Sequence, residues 1–250
     1  DEAKAKNCLD ELVRLTPNWR IARETLESLE KQQALNTTNI DWPNIPAMNQ
    51  NRVSVCMIVK DEEQYIGQCL ESVKPIASQI VVMDTGSTDR TVDIAKEHGA
   101  EVYSFEWSND FAAARNAALS HARGDWVLVI DADEVLPQSS HAAFNKDITS
   151  TNAIGYRIPL MSVAKNEAGV EKPTGDGLCH VPRLFRNAPG IHFIGCVHEE
   201  AFSSVLTLQS EWEMESGFGH AQLIHYGYDP ELKKERNKVK RNLNLMQKAI

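Results

Sequence analysis

The sequence lacks an apolar run near the roughly 20 residues that a membrane-spanning helix needs, and its uninterrupted apolar stretches are short, like buried strands. It shows no secretory signal pattern at its start. It begins with Asp1 rather than Met, so we expect a chain that is processed or cut from a longer one. The short apolar stretches predict no integral membrane segment, and they leave open a peripheral position at the membrane.

Cysteine is scarce, and its pattern does not favour disulfides. The five cysteines form no C-x-x-C pair, and an odd number is a poor disulfide framework. Cys56 and Cys69 lie in apolar patterns, where a free thiol behaves as a small hydrophobic group. A reducing, cytoplasmic setting is therefore expected.

The sequence has fewer basic than acidic residues. Lysine and arginine total 26 against 35 aspartates and glutamates, a formal net charge of −9. A phosphate polymer would be repelled on average, which argues against a general nucleic-acid binder. The hydrophobic fraction of 42% and the charged fraction of 24% are typical of a folded globular chain and exclude disordered and fibrous classes.

The domain organisation follows from changes in pattern along the chain. Residues 1–35 carry two apolar stripes broken at Pro17, which predicts a helical hairpin. This hairpin is either the end of a tetratricopeptide-like array, with a protein partner, or an extension packed on the main domain. Residues 36–51 read as a linker, 52–230 as the main domain and 231–250 as a basic amphipathic helix.

Strands and helices alternate from Val53 to about residue 133. The strands are continuously apolar, which predicts an α/β fold with a Rossmann-like, mostly parallel sheet covered by helices on both faces. Ligands of such sheets bind outside the carboxyl ends of the strands. Asp61, Asp84, Asp131 and Asp133 all follow predicted strands, so we expect them at one rim.

Two further local features are predicted. Asp61 and Gln64 have the spacing of a capping box at a helix start. Residues 164–179 are polar and contain three glycines between two predicted strands. This stretch is expected to be a loop, either a lid over the site or an ordinary surface loop.

The Asp131-Ala132-Asp133 sequence has the chemistry of a metal site. Alternation along a strand places both carboxylates on the same side, and a cation would relieve their repulsion. Hard oxygen ligands suit Mg²⁺ or Mn²⁺. The alternative is a turn in which Asp133 caps the next segment.

Two other residues call for a charged or polar partner. Asp84 precedes a Thr-Gly-Ser-Thr turn that could hold a phosphate or a sugar hydroxyl, and the turn alone would not explain the acid. Arg115 falls on the inward face of its helix and needs an anionic partner. We expect Asp84 or a ligand phosphate, with a purely structural Arg–Asp bridge as the alternative.

Several motifs follow one another in a fixed order along the chain, at residues 55–63, 82–91, 111–116, 124–134, 183–186, His198-Glu199 and 223–228. Together these motifs resemble the family-2 glycosyltransferases, which have the GT-A fold. The resemblance covers roughly residues 53–245, and the subgroup that it points to includes lipopolysaccharide-core glucosyltransferases and enzymes fused to tetratricopeptide repeats.

The resemblance implies a role for each candidate site residue. Those implied to bind the nucleotide-sugar are Val59, Asp61, Glu62, Asp84, Arg115, Asp131 and Ala132. Asp133 and His225 would hold Mn²⁺ or Mg²⁺, and Glu199, or failing it Glu200, would be the catalytic base. Many members of the family carry a second acid where this chain has Thr85, which affects the nucleotide contact.

The implied activity is metal-dependent, inverting transfer of a sugar, typically a hexose, from a nucleotide-sugar. UDP-sugar is the expected donor, and the acceptor is a glycan, a lipid-linked glycan or a protein. One alternative is a nucleotidyltransferase, although the turn after the first strand is acidic and has no glycine. The other is a non-catalytic helical-repeat module with an inactive transferase domain.

The histidines and cysteines of the second half of the chain raise the alternative of a structural zinc site. Five of the eight histidines and two cysteines lie between residues 179 and 225, but they lack the paired-ligand spacing of zinc sites.

Overall fold

The computed structural model describes residues 51–150, 152–165 and 171–226, together with four single helical residues within the first 27. The predicted hairpin at 1–35, most of the linker at 36–51 and the helix at 231–250 lie outside the described residues.

The described chain alternates strands and helices. The strands are β1 (Val53–Val59), β2 (Gln79–Asp84), β3 (Glu101–Ser104), β4 (Trp126–Val129), β5 (Glu134–Val135), β6 (Ala153–Lys165), β7 (Glu171–Arg186), β8 (Glu215–Phe218) and β9 (Leu223–His225). The helices are α1 (Ile66–Val73), α2 (Thr91–Glu97), α3 (Phe111–Leu119), α4 (Gln138–Ile148) and α5 (Phe202–Glu211).

Within the described residues these strands form one nine-stranded sheet. Its order is β3-β2-β1-β4-β7-β6-β9-β5, and β8 pairs with β6. The first four strands in this order are parallel, while β7 runs antiparallel to β4. The predicted α/β class and Rossmann-like parallel core are confirmed, and the second half of the sheet is mixed.

Helices cover both faces of the sheet, which explains why its central strands are apolar on both sides. One apolar layer packs beneath α1, α2 and α4, with Trp126 and Phe144 fully buried in it. The other packs beneath α3 and α5 and contains Phe185 and Phe202. Because parallel strands end at the same edge, the segments after β1, β2 and β4 meet there.

Two sequence predictions fail in the fold. The predicted capping box is wrong, because α1 begins at Ile66 after Tyr65, with no side-chain cap, and Asp61 has a left-handed φ of 53°. The expected polar loop at 164–179 is largely strand, because β7 begins at Glu171 and pairs with β6 up to Lys165.

Neither disulfides nor membrane spans are found in the described part of the chain. Cys56, Cys69, Cys179 and Cys196 are free thiols. None of the described helices has the length and hydropathy that crossing a membrane requires.

Candidate active site

A cavity of about 590 Å³ opens at the carboxyl ends of β1, β2 and β4. Its lining includes Val59, Asp61, Glu62, Thr85, Trp107, Phe111, Arg115, Asp131, Ala132, Asp133, Val197, His198, Glu199 and His225. The lining thus contains every site residue predicted from the sequence except Asp84 and Glu200. The expectation that strand-end acids gather at one rim is met by Asp61, Asp131 and Asp133.

The loops after β1 and β2 are joined by hydrogen bonds that form one edge of the cavity. The backbone N–H of Asp61 donates to Ser87 Oγ at 3.0 Å, and the N–H of Thr88 donates to Asp61 Oδ1 at 2.8 Å. The polar residues after β2 therefore hold the β1 loop in place. Asp61 stabilises this loop in addition to lining the cavity.

Asp84 has a structural role in its own turn. Its carboxylate accepts the backbone N–H of Gly86 at 3.2 Å and that of Ser87 at 3.1 Å. The side chain is buried and does not line the cavity. The hydrogen bonds of the turn therefore account for an aspartate at this position, contrary to the sequence interpretation. The arrangement gives no support to the predicted contact of Asp84 with the nucleotide.

Asp131 is held on both carboxylate oxygens by arginines. Arg115 Nη2 donates to Oδ1 at 2.7 Å, and Arg183 Nη2 donates to Oδ2 at 2.6 Å. Although burial opposes its charge, Arg183 and Arg115 keep the pKa of Asp131 well below its usual range. Asp131 is therefore a fixed anion at the cavity wall.

Glu134 lies beneath this turn. It accepts from Arg183 Nη2 at 2.8 Å and from the backbone N–H of Asp131 at 3.0 Å. Burial, together with the charges of Asp131 and Asp133, raises the pKa of Glu134 to about 7, and Arg183 acts against this shift. Glu134 therefore stabilises the turn through its hydrogen bonds with Arg183 and with the backbone of Asp131.

Asp133 and His225 form the candidate metal site. His225 Nε2 lies 3.4 Å from Asp133 Oδ2, and the hydrogen bond to Asp133 raises the pKa of His225. The pairing of β5 with β9 places Glu134 opposite His225. Because Asp133 directly precedes Glu134, the pairing also brings the Asp133 carboxylate close to the His225 imidazole.

The donor set fits Mn²⁺ or Mg²⁺ when the substrate completes it. No group of three or more His, Cys, Asp or Glu side chains that could hold a metal occurs among the described residues, which also gives no support there to a zinc site. A carboxylate and an imidazole leave most positions to water and phosphate oxygens, as is usual for Mg²⁺ beside nucleotides.

Arg115 connects Asp131 to the predicted base. Its Nε donates to Glu199 Oε1 at 3.0 Å, and its side chain is only 7% exposed. The acid that Arg115 contacts is therefore Asp131 rather than the expected Asp84, and a contact with a ligand phosphate stays a prediction. One nitrogen of the guanidinium, Nη1, is buried without a hydrogen-bond partner.

Glu200 points away from this site. Its carboxylate accepts the backbone N–H of Ser203 at 2.9 Å and also the Ser203 hydroxyl. It therefore stabilises the first turn of α5, and its role as an alternative base stays a prediction. Of the two adjacent acids, Glu199 is the one that lines the cavity.

Sequence reasoning missed several residues of the site. Arg183 belongs to a motif that carried the family resemblance, yet it received no role. Trp107 lies 4.8 Å from Phe111 between ring centroids, and the N–H of Phe111 donates to the Cys196 carbonyl at 3.1 Å. His198 has a left-handed φ of 59° in the same wall. The sequence feature that could have pointed to Trp107 is its position shortly before the start of a predicted helix.

Comparison with known protein families gives one match within the described domain. The model of Glycosyl transferase family 2 matches residues 54–155. This stretch contains β1 to β5 and the acids of the cavity rim up to Asp133.

Two relatives show how far the likeness extends. A TPR repeat-containing protein of Synechococcus elongatus is 35% identical over 193 residues, which are 76% of this chain and 46% of that protein. The SPbeta prophage-derived glycosyltransferase SunS of Bacillus subtilis is 29% identical over 197 residues, 78% of this chain and 44% of SunS. The chain thus spans less than half the length of these curated relatives.

Among solved structures, one similar chain is glucosyl-3-phosphoglycerate synthase from Mycobacterium tuberculosis in complex with Mn²⁺, UDP and glucosyl-3-phosphoglycerate. It has a TM-score of 0.47 and 16% sequence identity, and the match covers 78% of this chain and 80% of that one.

Proposed function

We propose that this chain, in which residues 54–155 match the model of Glycosyl transferase family 2, transfers a sugar from a nucleotide-sugar to an acceptor nucleophile at the cavity described above. The observation that carries the proposal is the Asp133–His225 pair beside Asp131 and Glu199 in one cavity. The pair offers a cation site, and Glu199 offers a carboxylate on the same wall.

The donor is proposed to lie with its diphosphate at Asp133 and His225 and its nucleoside along the loop at Asp61 and Glu62. A bound Mn²⁺ or Mg²⁺ supplies Lewis-acid stabilisation of the charge that develops on the nucleoside diphosphate as it leaves. UDP-sugar remains the donor predicted from the family resemblance, and a hexose is the predicted group.

Glu199 is proposed as the base that takes the acceptor proton. Its Oε1 is held by Arg115, so the carboxylate keeps one orientation while Oε2 remains to receive the proton. Such a base contributes about 10²–10⁴-fold to the rate. A single displacement by the acceptor from the opposite face inverts the anomeric carbon, since the transition state resembles that of glycoside hydrolysis.

Asp131 and Arg115 are proposed to position the site. The Arg115 guanidinium bridges Asp131 and Glu199, so the carboxylate of the donor side and that of the acceptor side keep a fixed separation. Holding reacting groups in place in this way lowers the entropic cost of the reaction.

The acceptor is proposed to be a glycan, a lipid-linked glycan or a protein side chain. A cytoplasmic or membrane-peripheral setting and a protein partner at the N-terminal helices stay predictions from the sequence.

Calorimetric titration with UDP tests the donor site. We expect binding in the presence of Mn²⁺ that is lost in EDTA and in Asp133→Ala. Equal UDP affinity in all three conditions would remove the metal from the proposal.

A further inference from the structure

Arg183 contacts two acids of the turn that follows β4. Its Nη2 lies 2.6 Å from Asp131 Oδ2 and 2.8 Å from Glu134 Oε1, and its side chain is 15% exposed. Strand β7, which carries it, pairs antiparallel with β4 through Leu184 and Leu128. The sheet itself therefore brings this arginine to the turn.

The turn concentrates negative charge. Asp131, Asp133 and Glu134 lie within four consecutive positions, and carboxylates this close repel one another unless cations separate them. Arg183 and Arg115 occupy both oxygens of Asp131, and Arg183 also occupies Oε1 of Glu134. Charge-assisted hydrogen bonds of this kind are stronger than neutral ones.

Asp133 is treated differently by its surroundings. Among the described residues, its carboxylate pairs with His225 at 3.4 Å. The three acids therefore have different partners. Asp131 and Glu134 bind arginine, whereas Asp133 pairs with the imidazole. The cavity therefore offers Asp133 and His225 as protein ligands, whereas both carboxylate oxygens of Asp131 already accept from arginines.

We propose that Arg183 is a positioning residue that withholds the Asp131 carboxylate from the divalent ion, so that the ion binds firmly only together with the donor diphosphate. This inference rests on the proposed function for the identity of the diphosphate. It assigns a role to an arginine that contacts Asp131 and Glu134 but does not itself line the cavity. The protein alone then binds the ion weakly, and nucleotide and metal bind cooperatively.

The proposal has a signature that a structural role cannot produce. In Arg183→Gln, Asp131 Oδ2 loses its cation and, because Asp131 lines the cavity, becomes available as a ligand. Removing one positive charge at this distance strengthens the binding of a cation, and we expect Mn²⁺ alone to bind about tenfold more tightly. The factor by which UDP tightens Mn²⁺ binding should shrink, because the protein now supplies ligands that the diphosphate supplied before.

The experiment measures free Mn²⁺ by electron paramagnetic resonance, without and with UDP, for the full chain and its variants. Arg157→Gln is the matched control, since Arg157 lies on β6 with its guanidinium 3.9 Å from the Phe202 ring centroid and away from the cavity. We expect this control to bind Mn²⁺ like the unaltered chain. Circular dichroism and thermal unfolding establish that each variant is folded.

Arg183→Lys keeps the test decisive if the glutamine variant does not fold. An ammonium group keeps the charge but lacks the planar guanidinium fork, so we expect a smaller shift in the same direction. Unchanged or weaker Mn²⁺ binding in the folded variants would overturn the proposal, as would tight Mn²⁺ binding by the unaltered chain without UDP. Failure of the unaltered chain to bind UDP would contradict the proposed function instead, while the comparison with Mn²⁺ alone would still report on Arg183.

Discussion

Arg115 and Glu199 form an ion pair across the candidate active site, with Nε 3.0 Å from Oε1. The pair joins α3 to the segment that ends at Glu200, where the backbones of Ile194 and Glu200 hydrogen-bond to each other in both directions. The same guanidinium holds Asp131. The candidate base is therefore fixed relative to the acids of the metal side before any substrate enters.

Replacing Glu199 by Gln removes the proton acceptor and keeps an oxygen for Arg115. We expect kcat to fall by about 10²–10⁴-fold, with UDP affinity in Mn²⁺ unchanged. Steady-state kinetics with calorimetry of UDP separates the two effects. A mild loss of kcat would move the base to another residue.

Glu200→Gln provides the adjacent control. This carboxylate accepts hydrogen bonds from the first turn of α5, and the amide of Gln keeps an oxygen that can accept them. The loss of negative charge at the helix start should therefore lower the free energy of unfolding by about 0.3–1 kcal/mol and leave kcat unchanged. Denaturant unfolding and the same kinetic assay check both parts. A collapse of kcat in this variant alone would reverse the assignment of the two acids.

Asp84→Ala tests whether this acid belongs to its turn or to the nucleotide. The N–H groups of Gly86 and Ser87 lose a buried acceptor, so the free energy of unfolding should fall by about 1–3 kcal/mol. Asp84→Asn keeps an oxygen and should lose less stability, with UDP affinity unchanged. Weakened UDP binding by a fully stable Asp84→Asn variant would show that the residue does contact the nucleotide.

Gly124 allows the chain to pass close to the start of β1. A Cβ at this position would lie 2.5 Å from the backbone nitrogen of Ser54 and 2.8 Å from the carbonyl oxygen of Arg52. Gly124→Ala should therefore cost about 1–3 kcal/mol through overpacking, measured as a lower thermal midpoint. Gly217→Ala is the control, because the nearest atom to its Cβ is 4.0 Å away. Equal midpoints for the two variants would show that the backbone moves aside at no cost.

The first half of the fold could be predicted from the sequence because its signals are local. The apolar run of β1 and the acids after β4 need no knowledge of distant residues to be recognised. Helix α4 was missed because Phe144 and Ile148 are its buried hydrophobic residues, too few to give a clear periodicity. The first part of β7 is polar, and pairing with β6 rather than its own composition makes it a strand.

The charge network of the site could not be predicted for a similar reason. Arg115 contacts Glu199 across 84 positions of sequence, and Arg183 contacts Asp131 across 52. An inward-facing arginine implies an acid, but several acids were available. Only the strand order determines which of them lies within reach.

Release of nucleoside diphosphate from a panel of nucleotide-sugars, with Mn²⁺, with EDTA and in Asp133→Ala, tests the central claim most directly. The account predicts that at least one donor is turned over, that EDTA abolishes the release, and that Asp133→Ala abolishes it while remaining folded. Turnover that is indifferent to both chelation and this substitution would contradict a metal-assisted transfer at the Asp133–His225 site.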